Sequence, residues 1–133
     1  MGYEPHYDFR TDLAYGEEGE ENAKEFFGAL ASGKVEVKSD RYRNGKMVVE
    51  TNQKPQGKDW QLSGINVTEA EWWAYRLAPD SFFVVSVARL KKYLRANQPM
   101  SKISLAPDGD NPARGFLLSA DQVQSMMCDK QYD

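Results

Sequence analysis

Cysteine and histidine are almost missing from this chain: Cys128 and His6 are the single examples in 133 residues. An internal disulfide is therefore impossible, and neither a Cys/His zinc site nor a Ser-His triad finds support. Long apolar runs are missing as well. The longest, Phe82 to Ala88, is far too short to span a bilayer. The opening Met1-Gly2-Tyr3-Glu4-Pro5-His6 has no basic start followed by an apolar run, so no secretory leader is expected. Neither a phosphate-binding P-loop nor a dinucleotide fingerprint is present, which argues against a small metabolic enzyme built on a nucleotide cofactor. No repeat, low-complexity tract or linker interrupts the sequence. These absences predict one soluble, cytoplasmic domain over 1–133 with no membrane partner.

What the chain does contain is enough apolar material for one core: 41% hydrophobic and 12% aromatic residues. Its net charge of −3 is unevenly spread. Residues 1–33 carry two basic and eight acidic side chains, residues 34–100 twelve and seven, and residues 101–133 three and five. A basic middle between acidic ends suits a protein that turns one face to a polyanion, and equally suits an ordinary solvated surface.

Periodicity predicts a helix over Tyr15–Ser32, with the apolar stripe Ala23, Phe26, Phe27 and Leu30 and a stop at Gly33. Strand-like runs follow at Lys34–Arg41 and Lys46–Thr51, joined through Arg43-Asn44-Gly45 as a hairpin. Gln53–Gly64 reads as loop or a short irregular strand. Thr68-x-x-Glu71 has the form of a capping box, predicting a helix to about Leu77. A buried strand over Ser81–Val87 and a basic helix over Ala88–Ala96 come next. Two strands, around Ile103–Leu105 and Phe116–Leu118, and a helix over Ala120–Met127 complete the chain. This order predicts a mixed α/β domain with a central mixed sheet flanked by helices.

The hairpin carries the chemistry. A three-residue loop would pair Lys38 with Glu50 and Asp40 with Val48. That register gathers Val35, Val37, Met47 and Val49 on an apolar face, and Lys38, Asp40 and Glu50 on the other. Two carboxylates on adjacent strands can share a hard divalent cation such as Mg²⁺, with a lysine to orient water. The competing reading is a cross-strand ladder of ion pairs on a solvated face. On the first helix, Glu20 falls on or beside the core-facing stripe, where a lone carboxylate is expected to have a partner.

The succession helix-Glu, strand-Asp, strand-Glu resembles the PD-(D/E)XK nucleases, and more narrowly the small phage and bacterial Holliday-junction-resolvase-like endonucleases. The blocks concerned are Tyr15-Gly16-Glu17-Glu18-Gly19-Glu20, Val35-Glu36-Val37-Lys38-Ser39-Asp40, Val48-Val49-Glu50, and Ser63-Gly64-Ile65 followed by Thr68-x-Ala70-x-Trp72. They span about Tyr15 to Leu77. The resemblance implies a restriction-endonuclease-like core and a metal-dependent deoxyribonuclease acting on branched DNA in a bacterial or phage-infected cell, with Mg²⁺ or Mn²⁺ as cofactor. Asp40 and Glu50 would hold the metal, Lys38 would position water, and Glu20 would support the site. Arg41, Arg43, Lys46, Lys54, Lys58 and Ser63 would meet the DNA, and a homodimer is implied. Asn52 stands where the pattern has its final lysine, a role that Lys38 could take over. A second alignment reads Glu36-Val37-Lys38 as the E-x-K, with Asp8 or Asp12 as the upstream acid.

Asn52 also motivates a rival: a catalytically inactive relative that binds DNA or a protein partner. Arg89, Lys91, Lys92 and Arg95 read either as a phosphate-binding helix face or as a solvated one. Trp72 and Trp73 read as core anchors. Asp108-Gly109-Asp110 resembles a fragment of a calcium loop without the remaining ligands.

Overall fold

Gly33 takes φ +77°, which residues with a Cβ rarely adopt, and so ends the first helix. In the computed structural model, which describes residues 9–40, 42–97, 102–105 and 111–133, that helix is α1 (Phe9–Ala31). It starts six residues earlier than the sequence predicts. The chain divides into two units, Met1–Gly33 and Lys34–Asp133. Within the first, the expected core stripe of α1 is not buried: Phe27 is 62% exposed and Leu30 50%. Ala29 is the buried residue of α1, and Glu20 is solvent-exposed.

Among its described residues, the second unit contains seven strands in two sheets and two α-helices. Its strands are β1 (Val35–Ser39), β2 (Met47–Gln53), β3 (Gln61–Leu62), β4 (Trp72–Ala78), β5 (Ser81–Ser86), β6 (Ile103–Leu105) and β7 (Ala113–Leu118). Its helices are α2 (Val87–Ala96) and α3 (Ala120–Cys128). One sheet is mixed, in the order β1-β4-β5; the other is antiparallel, in the order β3-β2-β7-β6. The protein is thus mixed α/β, but with two sheets in place of one central sheet. The sheet faces and helices share one apolar core, in which Trp73, Met47, Leu90, Leu118 and Met126 are the largest fully buried side chains.

Two expectations fail here for physical reasons. The segment 72–77 is strand β4, not a helix. Its aromatic run favours a pleated surface, and alternation buries Trp73 and Tyr75 among the core residues. Thr68 makes no capping box: its hydroxyl accepts from Ala70 N, two residues on, while Glu71 N donates to Lys34 O. The β1–β2 hairpin is also absent. β1 runs parallel to β4, with Glu36 opposite Trp73 and Lys38 opposite Tyr75. β2 pairs with β7 and β3 in the other sheet, with Val49 opposite Phe116. Packing against Phe116 and Leu118 buries Met47 and Val49 completely, which Val35 and Val37 on one hairpin face could not do.

Both helices of the second unit are capped by serine. Ser86 Oγ accepts from Arg89 N, and Ser119 forms a full capping box with Gln122. Arg89 then ties α2 to the last residues: its guanidinium donates to Met126 O at 2.7 Å, Asp129 O at 2.6 Å and Asp133 Oδ1 at 2.7 Å.

Candidate nucleic-acid interface

Asp40 is the most constrained of the expected site residues. It follows β1 directly and is buried. One carboxylate oxygen accepts from Tyr42 N at 2.8 Å and Arg43 N at 3.0 Å, and the other from Asn44 N at 3.0 Å. Three charge-assisted bonds to successive N–H groups make this carboxylate the organiser of the turn that carries the chain from one sheet to the other. Arg43 sits in that turn at φ 51°, and Gly45 at φ 76°.

The strand faces decide what can meet Asp40. Glu36 and Lys38 alternate onto the same side of β1 as Trp73 and Tyr75. Lys38 Nζ pairs with Glu36 at 2.9 Å and lies 5.7 Å from the centre of the Trp73 ring. Charges on the inward face of an edge strand also discourage pairing with another chain. The opposite face of β1 carries Val37, 53% exposed. Asp40, Lys46, Val48 and Tyr75 line a cavity of about 420 Å³, and Val48 N donates to the Tyr75 hydroxyl at 3.3 Å. On β2, alternation places Glu50 on the face of Val48, partly buried, one strand repeat beyond the cavity. Glu50 is not paired with Lys38 as the hairpin register requires.

Desolvation raises the Tyr75 pKa above its ordinary value; the Val48 N–H lowers it in part, and the charge of Asp40 raises it further. A tyrosine whose folded pKa exceeds its unfolded value stabilises the fold fully below about pH 10, and that stability is lost as pH rises through the folded pKa. Unfolding in urea between pH 8 and 11 should therefore show stability falling above pH 10. In Tyr75→Phe the fall should be shallower, leaving the contribution of Tyr93, whose pKa burial also raises.

The hairpin pairing expected to bring Asp40 and Glu50 around a Mg²⁺ is not made. Three of the roughly four acceptor positions on Asp40 are occupied by backbone N–H groups, and the two strands that should bring Asp40 and Glu50 together lie in different sheets. Among the described residues there is no cluster of three or more His, Cys, Asp or Glu side chains able to hold a metal.

The expected DNA contacts are scattered. Arg43 and Lys46 are exposed on the Asp40 turn, and Arg41 lies outside the described residues. Lys54 and Lys58 line a wide hollow together with Asp59, which offsets part of their charge. Ser63 is buried; its N–H donates to Thr51 O and its hydroxyl finds no partner. It is not presented to a phosphate. His6, Asp8 and Asp108-Gly109-Asp110 also lie outside the described residues.

A continuous basic tract forms elsewhere. The four basic residues of α2 divide by helical spacing: Arg89 and Lys92 bond to the last residues, while Lys91 and Arg95 face a cavity of about 350 Å³. Lys102 lines the same cavity. Its ammonium bonds to Asn52 Oδ1 at 3.0 Å and stands 5.9 Å from the centre of the Phe116 ring. Asn52 is opposite Arg114 on β7, and the Arg114 guanidinium lies 4.0 Å from the centre of the Trp60 ring. Lys54 follows one residue beyond β2, its N–H bonded to Pro112 O. The tract therefore runs from α2 across the end of the antiparallel sheet to an aromatic–guanidinium pair. Lys102, Arg114 and Trp60 carry no signal in the sequence, because only the β2–β3, β2–β7 and β6–β7 ladders bring them together.

No helix among the described residues is long and apolar enough to cross a membrane. Neither a protein-family model, nor a curated protein, nor a solved structure matches the chain.

Proposed function

We propose that this protein binds DNA through the phosphate backbone, with unpaired bases meeting the Trp60–Arg114 pair. The observation that carries the reading is the tract Lys91, Arg95, Lys102 and Arg114, in which neither Lys91 nor Arg95 has an ion-pair partner among the described residues. Phosphate contacts give affinity without sequence preference, and an exposed aromatic–guanidinium pair adds stacking that tolerates any base. The acidic surplus does not oppose this: residues 34–133 carry 15 basic and 12 acidic side chains, and the excess of acid lies in residues 1–33.

Titration of a fluorescent single-stranded oligonucleotide at several salt concentrations tests the reading. Neutralising about four phosphates gives a slope of log affinity on log salt near −3. Lys102→Gln/Arg114→Gln should make that slope shallower by about one to two and weaken binding at least tenfold. An affinity that ignores both salt and the substitutions would refute the proposal.

A second reading is a divalent-metal-dependent endonuclease with a restriction-endonuclease-like core. It is supported by the sequence order Glu20, Asp40, Glu50 with Lys38, and by Lys38 lying opposite Tyr75, beside which Asp40 lines a cavity. Under this reading a metal would take the one acceptor position of Asp40 that its backbone partners leave open, on the oxygen that accepts from Asn44 N. The homodimer implied by the same resemblance belongs with this reading.

A further inference from the structure

The cavity between α2 and the antiparallel sheet, whose rim carries three of the four residues of the tract, adds an apolar floor to it. Its floor is apolar: Ile65, Leu94 and Phe116 are all buried. Its rim is cationic, with Lys91 and Arg95 four residues apart on one face of α2 and Lys102 across from them. No acidic side chain is among its described lining residues. Lys102 is held in place by Asn52, so part of the rim is already oriented before anything binds. Thr51 and Asn66 complete the wall, and Asn66 is itself fixed by donating to Thr51 O at 2.9 Å.

An apolar floor below three cations selects a ligand with a flat apolar body and a concentrated negative charge at one end. A free inorganic anion would use the rim and leave the floor wet. A bare nucleoside would use the floor and leave three cations without a counter-charge. The volume, about 350 Å³, lies at the lower end of the range for small-ligand sites, which suits one nucleotide and not two.

We infer that this cavity seats a single nucleotide, its base on Phe116 and Leu94 and its phosphate between Lys91, Arg95 and Lys102. The inference deepens the DNA-binding reading: the cavity would take one unpaired nucleotide of a bound strand, a terminal or an extruded one. It stands apart from that reading in its test, because a free mononucleotide suffices to probe it.

Calorimetric titration of the full chain with deoxyadenosine 5′-monophosphate, with inorganic phosphate and with deoxyadenosine provides the three arms. The monophosphate should bind at least tenfold more tightly than either of the others. Lys91→Gln/Arg95→Gln should remove that advantage, with folding checked by circular dichroism, while Lys130→Gln, an exposed lysine outside the cavity, should leave it unchanged. Leu94→Ala provides a second probe, since it deepens the floor without touching a charge and should weaken the monophosphate and the nucleoside but not phosphate. The inference is overturned if phosphate alone binds as well as the monophosphate, or if the monophosphate binds equally to the Lys91/Arg95 double variant. Oligonucleotide binding that persists after such a result would leave the backbone-binding proposal standing; loss of oligonucleotide binding with mononucleotide binding intact would remove that proposal and keep the cavity.

Discussion

Asp40→Ala should destabilise the protein by about 2–4 kcal/mol, the sum of three lost charge-assisted bonds and three N–H groups left short of partners. The carboxylate holds Tyr42 N, Arg43 N and Asn44 N at once, at 2.8–3.0 Å. Removing it frees the turn that lets β1 and β2 enter different sheets. Asp40→Asn should cost about half as much, because one amide oxygen still accepts while the NH₂ group faces a donor. Urea unfolding of the two variants checks the order. If Asp40→Ala unfolds within 0.5 kcal/mol of the parent, on the order of an ordinary surface change, the carboxylate is not holding the turn and is available for other chemistry.

Gly64→Ala should be at least as damaging, at about 3 kcal/mol or more. Gly64 has φ +54°, where a Cβ costs roughly 1–2 kcal/mol. The added carbon would also overlap the Glu50 carbonyl oxygen and come within 2.8 Å of its carbon. Backbone of a central strand cannot move aside as a flexible side chain can. The 3-10 turn Gly64–Asn66 would be pushed off β2, taking with it Ile65 and Asn66, both part of the cavity wall. The expected readout is a melting temperature lower by roughly 10 °C or more, with mononucleotide binding reduced in the fraction that remains folded. An unchanged melting temperature would mean that this close approach does not exist.

The local elements were legible where periodicity and caps agree. α2 and α3 lie within one residue of the expected helices, Gly33 stops α1, and β5, β6 and β7 fall on the expected runs, β7 starting earlier at Ala113. Segment 72–77 was misread because Thr68-x-x-Glu71 has the form of a capping box, while the aromatic alternation after it points to strand; burial of Trp73 and Tyr75 decides for the strand. Arg43-Asn44-Gly45 does mark a turn, but a turn signal says nothing of whether the flanking strands pair with each other. Here burial of Met47 and Val49 against β7 outweighs a local hairpin.

The site was legible only in part, for a related reason. Glu36 and Lys38 do share a face, because that follows from alternation within one strand, while Asp40 follows the strand and lines a cavity with Tyr75. The meeting of Asp40 with Glu50 required a pairing between strands, and that pairing is not made. The basic helix was visible as a run of charges, but its division into Arg89 and Lys92 against Lys91 and Arg95 depends on what packs beside it. Lys102, Arg114 and Trp60 come from three separate segments, so no spacing rule connects them.

Under the proposed function the basic tract holds DNA, and Asp40 holds a turn of the fold. That function is tested most directly by incubating the full chain with labelled single-stranded and branched DNA in EDTA, Mg²⁺ and Mn²⁺, following anisotropy and strand length together. The expected result is binding in EDTA, binding at least tenfold weaker in Lys102→Gln/Arg114→Gln, and intact strands in all three conditions. Metal-dependent cutting that disappears in a folded Asp40→Asn or Glu50→Gln variant would contradict it and establish the endonuclease reading instead.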